Sequence, residues 1–168
     1  MCLFSSGDDG ETVDVDAIAQ DVRAKLGGET IGVIFPILSR NRFAICLRGI
    51  AKGAKKVIVS DLARVDMSEA VEDAFRYSKL VLATTTYNGD IFPFMKEFIH
   101  NLTARNFQNR TVAFIENGTW APNAGKVMKS MFEKSKNITF AETQVTVKSA
   151  VNEDAEAAID KLADELLK

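Results

Sequence analysis

The sequence predicts an α/β protein built on a doubly wound, five-stranded parallel sheet with helices on both faces. Two observations carry the prediction. Short apolar, β-branched runs alternate along the chain with segments whose apolar residues recur at helical spacing. Two of the loops that follow these runs, at 83–93 and 117–125, are crowded with hydroxyls, aromatic rings, Asn and Gly. In an open parallel sheet the loops at the carboxyl ends of the strands build the ligand crevice. The loop at 83–93 is composed to hold a polar, planar ligand.

The elements follow in order. The first 29 residues read as an N-terminal extension: loop-like around Ser-Gly-Asp-Asp-Gly, then a helix over 13–26 ended by Gly27. The domain proper spans 30–168. Thr30 to Phe35 is a first strand, and Arg42 to Gly53 a helix weakened by Gly49. Lys56 to Ser60 is a second strand, with Asp61 behind it. From Ser68, a suitable cap followed by acidic residues, a helix runs to Tyr77. The third strand covers 79–83 and its loop 83–93; a helix then covers 94–104. Arg110 to Ile115 is the fourth strand, and Asn117 to Gly125 the second rich loop. Lys126 to Lys134 places Val127, Met128, Met131 and Phe132 on one helical face. Ile138 to Val147 is the fifth strand. A closing amphipathic helix, 153–167, turns Ala157, Ala158, Leu162, Leu166 and Leu167 inward. Right-handed crossovers gather the post-strand loops at one edge of such a sheet.

Bulk properties narrow the function classes. A chain of 168 residues, 46% apolar and 26% charged, suits one globular domain with a sizeable core. A net charge of −2, with both signs dispersed, gives no basic footprint for nucleic acid and no polybasic face for a membrane. No apolar stretch approaches the roughly 20 residues that span a bilayer. The start of the sequence is acidic and carries no secretory hydrophobic region. Cys2 and Cys46 form neither a metal-spacing pair nor a disulfide framework, so a reducing cytoplasm is the expected location. No catalytic residue and no metal site is expected.

With these motifs in place, Thr86-Tyr-Asn-Gly-Asp-Ile-Phe-Pro resembles the second flavin loop of the flavodoxin-like domain of flavodiiron proteins (A-type flavoproteins). Asn117-Gly-Thr-Trp-Ala-Pro-Asn-Ala-Gly is similar to that family's third loop, which also carries a tryptophan after small residues. The resemblance covers residues 30–168 and keeps both loops on matching strand ends in matching order. It implies a flavodoxin-like fold that binds FMN noncovalently and passes electrons. The implied partners are a rubredoxin-type or iron–sulfur donor and a diiron-type acceptor. Flavodiiron proteins reduce dioxygen or nitric oxide at a diiron centre in a separate metallo-β-lactamase-like domain that needs several histidines. This sequence has one histidine, so it is expected to be a flavodoxin-like module without that centre and without autonomous reductase activity.

The residues suit that ligand. An isoalloxazine ring needs flat walls, which Tyr87 and Trp120 can supply. Its pyrimidine edge needs donors and acceptors, which Thr85, Thr86, Asn88, Gly89, Asn117, Gly118 and Thr119 can present; Gly89 also tolerates positive φ. In flavodoxin-like proteins the loop after the first strand wraps the FMN phosphate at a helix amino terminus. That place is taken here by Pro36 to Phe43. Ser39, Arg40, Asn41 and Arg42 are its phosphate candidates, the arginines through charge-assisted contacts. The loop lacks Gly and Thr, a departure from the family pattern. Leu3 to Thr12 is a second candidate for that loop, disfavoured because its two aspartates would repel a phosphate.

Each feature also has a structural reading. Tyr87-Asn88-Gly89 is an ordinary turn composition, and Trp120 can be a packing residue. Pro93 is a helix-start residue. Phe92, Phe94 and Phe98 are core candidates, His100 a surface residue, and Cys46 a small buried hydrophobe. Two function classes follow: an FMN electron-transfer module, or a flavodoxin-like fold that has lost FMN and serves as an interaction module. NAD(P)H-quinone reductases of the same fold would need a nicotinamide pocket that nothing in the sequence specifies.

Overall fold

The computed structural model describes residues 3–5, 12–14, 30–35, 56–148 and 151–167. Strands β1 (Leu3–Ser5) and β2 (Thr12–Asp14) pair antiparallel in a two-stranded sheet of their own. Val13 and Asp14 therefore open no helix, contrary to the expectation of one from residue 13; 15–26 lie outside the described residues. The segment between β1 and β2 links antiparallel strands, which removes it as a strand-to-helix phosphate loop.

The main sheet begins with β3 (Thr30–Phe35) and β4 (Lys56–Asp61), parallel and in register from Thr30↔Lys56 to Phe35↔Asp61. Helix α1 (Met67–Arg76) starts at Asp66, not Ser68: the Asp66 carboxylate accepts from the Ser68 amide at 2.7 Å, and hydrogen bonds from Ser68, its hydroxyl first and its amide second, hold the Asp66 pKa below the usual range. Strand β5 (Lys79–Tyr87) joins the other edge of β3, and the antiparallel β6 (Asp90–Ile91) folds back on its end. Helix α2 (Pro93–Ala104) opens on Pro93, where a missing N–H costs little. Strand β7 (Arg110–Asn117), helix α3 (Ala124–Met131), strands β8 (Ile138–Phe140) and β9 (Val145–Val147), and helix α4 (Glu153–Leu166) complete the chain.

The strand order is β4-β3-β5-β7-β8, with β9 continuing β8 along β7. The fifth strand is thus split rather than continuous. Ala113 and Phe114 of β7 lie opposite four residues, Ala141 to Gln144, which bulge out of the ladder. The bulge finds its partners on α4. Amides of Glu142 and Thr143 donate to the Glu165 carboxylate at 2.5 and 3.0 Å. Burial pushes the Glu165 pKa up, but those bonds outweigh it and the net shift is downward.

Both faces of the sheet are covered. Leu80, Leu82, Val112 and Phe114 pack against α1, α2 and α3 through Ala74, Phe98, Ile99, Leu102 and Met128. Val33, Val81, Ala83, Ile115 and Val145 pack against α4 through Ala155, Ile159, Leu162 and Leu166. The alternation of Leu80 and Leu82 with Val81 and Ala83 is the period-2 pattern of a strand buried on both sides. The buried face of α4 departs from the expectation at Ala157, whereas Ala158 is half-buried against the core as expected. Ala155 and Ile159 are buried whereas Ala157 is exposed. Phe98 is core as expected, Phe92 is half-buried, and Phe94 is 38% exposed. Among the described residues no helix is long and apolar enough to cross a membrane.

The topology fixes where a ligand can sit. The chain passes from β3 outward to β4, then returns to place β5 on the opposite edge of β3. That reversal opens a crevice outside the carboxyl ends of β3 and β5. The segments after β5 and β7 flank it.

Candidate functional site at the carboxyl ends of β5 and β7

Strand β5 runs farther than its apolar core suggests. Thr84, Thr85 and Thr86 continue it through backbone pairing with β7 (Thr84↔Glu116, Thr85↔Asn117), and Thr86 and Tyr87 then face Ile91 and Asp90. What the sequence presents as a loop is mostly a tight hairpin. Its tip is Asn88-Gly89, with φ of 51° and 76°. Two consecutive positive φ values are the signature of a type I′ turn, the turn whose twist matches flanking strands. Gly89 adopts its φ freely, and a Cβ there would meet nothing within 4 Å, so backbone conformation alone selects glycine. The Asp90 carboxylate accepts from the Ile91 amide at 2.8 Å and pairs with Lys96 of α2 at 2.5 Å. The Lys96 bond is the larger cause that lowers the Asp90 pKa. Tyr87, Phe92 and Phe94 form an edge-to-face run with centroids 5.6 Å apart at each step. Tyr87 remains 54% exposed at the end of that run.

The segment after β7, residues 118–123, has no hairpin of its own. The Gly118 amide donates to the Val147 carbonyl at 3.1 Å, pinning its start. A Cβ on Gly118 would lie 3.0 Å from Pro122 Cα and 3.3 Å from Thr86 Oγ1, so the backbone closes here on its neighbours. At its far end the Asn123 and Ala124 amides donate to Thr86 Oγ1 at 3.0 and 3.2 Å. The next amide, Gly125, donates to Glu116 at 2.8 Å. Glu116 is 4% exposed and also accepts from Gln144 Nε2 at 3.0 Å and Thr146 Oγ1 at 2.8 Å. A buried carboxylate with three donors is satisfied rather than stranded. Trp120 rides in the middle of the segment, 96% exposed.

Of the sequence candidates, the structure brings together Thr85, Thr86, Tyr87, Asn88 and Gly89 on one side and Asn117, Gly118, Thr119 and Trp120 on the other. The Thr85 hydroxyl, 3.3 Å from the Asn117 carbonyl, bridges the two strand ends. Ser39, Arg40, Asn41 and Arg42 lie outside the described residues. Glu116 escaped the sequence reading, which ended the fourth strand at Ile115; a lone acid continuing an apolar run was the available signal. A groove of about 590 Å³ is lined among others by Tyr87, Asn88, Ile91, Lys96, His100 and Met131, so it shares the hairpin with the site candidates. His100 is exposed there, as expected.

No protein-family model matches the sequence, and no curated protein sequence matches it. Solved structures do match the fold. Rubredoxin oxygen:oxidoreductase from Desulfovibrio gigas superposes with a TM-score of 0.74 at 12% identity, over 88% of this chain and 37% of that one. The diflavin flavoprotein A3 from Nostoc gives 0.65 at 20% identity, covering 83% and 92%. A Fusobacterium nucleatum flavodoxin bound to flavin mononucleotide gives 0.61 at 14% identity, covering 82% and 96%. The chain is a flavodoxin-like α/β protein. Its fold is the one shared by flavodoxins and by the flavodoxin-like part of flavodiiron proteins, and it spans little more than a third of the D. gigas chain.

Proposed function

We propose that the protein binds FMN in the crevice beside the carboxyl ends of β5 and β7 and serves as an electron-transfer module. The observation that carries the reading is the pairing of two exposed aromatic side chains, Tyr87 and Trp120, on segments that leave adjacent parallel strands. Large exposed aromatics are uncommon without a binding role when they share one functional edge. The donor set fits the group. Tyr87 and Trp120 would wall the ring, while Asn88, Gly89, Gly118 and Thr119 supply main-chain groups for its polar edge. Ser39, Arg40, Asn41 and Arg42 are the proposed phosphate ligands. Bound there, FMN would supply the one- and two-electron chemistry, and the protein would tune it through stacking and hydrogen bonds. The proposed donor is a rubredoxin-type or iron–sulfur protein and the proposed acceptor a diiron-type protein.

Titration with FMN tests this. The expected outcome is a yellow protein whose Trp120 fluorescence is quenched as the flavin binds, with affinity reduced in Trp120→Ala and in Arg40→Ala/Arg42→Ala. A colourless protein that ignores FMN would overturn the reading. The absence of Gly and Thr from 36–43 favours a second reading, a fold that has given up FMN and serves as an interaction module; that result would select it.

A further inference from the structure

We propose that Thr86 is a positioning residue for the flavin ring, resting on the FMN reading above: its hydroxyl staples the segment 118–123 to the end of β5 and sets how Trp120 stands relative to Tyr87. Three observations converge on this one oxygen. The first amides of a helix have no intrahelical acceptor and need one from elsewhere. Asn is a favoured N-cap residue, yet the Asn123 side chain makes no capping bond. Thr86 Oγ1 supplies the acceptor instead, taking both the Asn123 and Ala124 amides from a different strand. The other end of the segment, Gly118, comes so close that a Cβ there would reach within 3.3 Å of the same oxygen.

The consequence is geometric. Tyr87 is covalently next to Thr86, and Trp120 sits between the two points where its own segment meets Thr86. The staple therefore joins the carriers of both aromatic walls. The Gly125 amide, the next donor, pairs with buried Glu116, while the two amides before it share the Thr86 oxygen. Helix α3 has no acidic residue in its first turn to stabilise its start. Without the Thr86 oxygen, the segment would keep its sequence but lose its fixed approach to the hairpin.

Thr84 provides the control. It sits two residues away on the same strand and is 1% exposed, and its hydroxyl finds no hydrogen-bond partner among the described residues. The same Thr→Val change thus removes a staple at one site and an idle hydroxyl at the other. The experiment measures FMN affinity by titration and amide hydrogen exchange at Asn123 and Ala124 in flavin-free protein, for wild type, Thr86→Val, Thr86→Ser and Thr84→Val. Losing two modest hydrogen bonds predicts exchange about tenfold faster and FMN binding about tenfold weaker in Thr86→Val. Thr86→Ser, which keeps the oxygen, should restore both, and Thr84→Val should alter neither. Wild-type-like FMN affinity in Thr86→Val, failed rescue by serine, or an equal loss in Thr84→Val would each overturn the assignment. If the wild type itself binds no FMN, the flavin reading fails and the positioning role with it. Exchange at Asn123 and Ala124 then reports separately whether the staple exists.

Discussion

The hairpin at 86–91 and the segment at 118–123 lie side by side at the same sheet edge, yet they keep their shapes by different means. The hairpin is self-sufficient. Its conformation follows from two residues that accept positive φ, a short ladder and an ion pair to α2. The segment after β7 has no ladder of its own. It depends on the side chains of Thr86 and Glu116, which reach it from β5 and from its own parent strand. Local sequence can specify the first kind of structure, whereas the second exists only once the sheet has assembled. The proposed site would then have one wall held by local structure and one held by side chains from other parts of the sheet.

The comparison can be broken most severely at Glu116. Glu116→Leu leaves the Gly125 amide, the Gln144 amide group and the Thr146 hydroxyl without their acceptor. A loss of about 3 kcal/mol in unfolding free energy is expected by urea titration, with the hairpin amides still protected under native conditions. A change under about 1 kcal/mol would mean that the segment does not depend on this carboxylate. Next in size is Gly89→Val, which forces a β-branched residue into a left-handed conformation and should cost about 1–2 kcal/mol. Its faster amide exchange should be confined to the hairpin, leaving Asn123 and Ala124 as in the wild type. Spread of the effect to 118–123 would show that the two walls are one cooperative unit.

The smallest effect belongs to the Asp90–Lys96 pair, whose side chains are 41% and 56% exposed. Exposed pairs of this kind contribute about 0.2–1 kcal/mol. Because the Asp90 pKa is lowered in the folded protein, its contribution is complete above the ordinary aspartate value of about 3.9. It is lost as pH falls through the lowered folded value. In Lys96→Met the Asp90 carboxyl should titrate at higher pH by NMR while overall stability near neutrality barely moves. An unchanged Asp90 titration would remove Lys96 as the dominant cause.

The same distinction explains what the sequence revealed. Strands β3, β4, β5 and β7 were legible because buried strands leave apolar runs, and Pro93 and Asn88-Gly89 carry local backbone signals. The extension of β5 through three threonines was not legible, since polar residues enter a ladder there only because β7 and β6 pair with them. The split of the fifth strand was hidden for a similar reason. Its four-residue bulge is held by Glu165, more than one element away in sequence. The Thr86 hydroxyl's bonds to Asn123 and Ala124 were not legible either, because those amides lie 37 and 38 residues away in sequence. Glu116 was missed outright, because a buried acid makes sense only beside the donors that the fold brings to it.

In the proposed site the hairpin and the segment after β7 are the two walls around one flavin ring. Amide chemical shifts followed by two-dimensional NMR during addition of FMN test it directly. Resonances from 86–91 and from 117–123 should shift together, with one common dissociation constant. Shifts confined to one of the two segments, shifts centred instead on Lys96, His100 and Met131 of the groove beside the hairpin, or no shifts at all would contradict it.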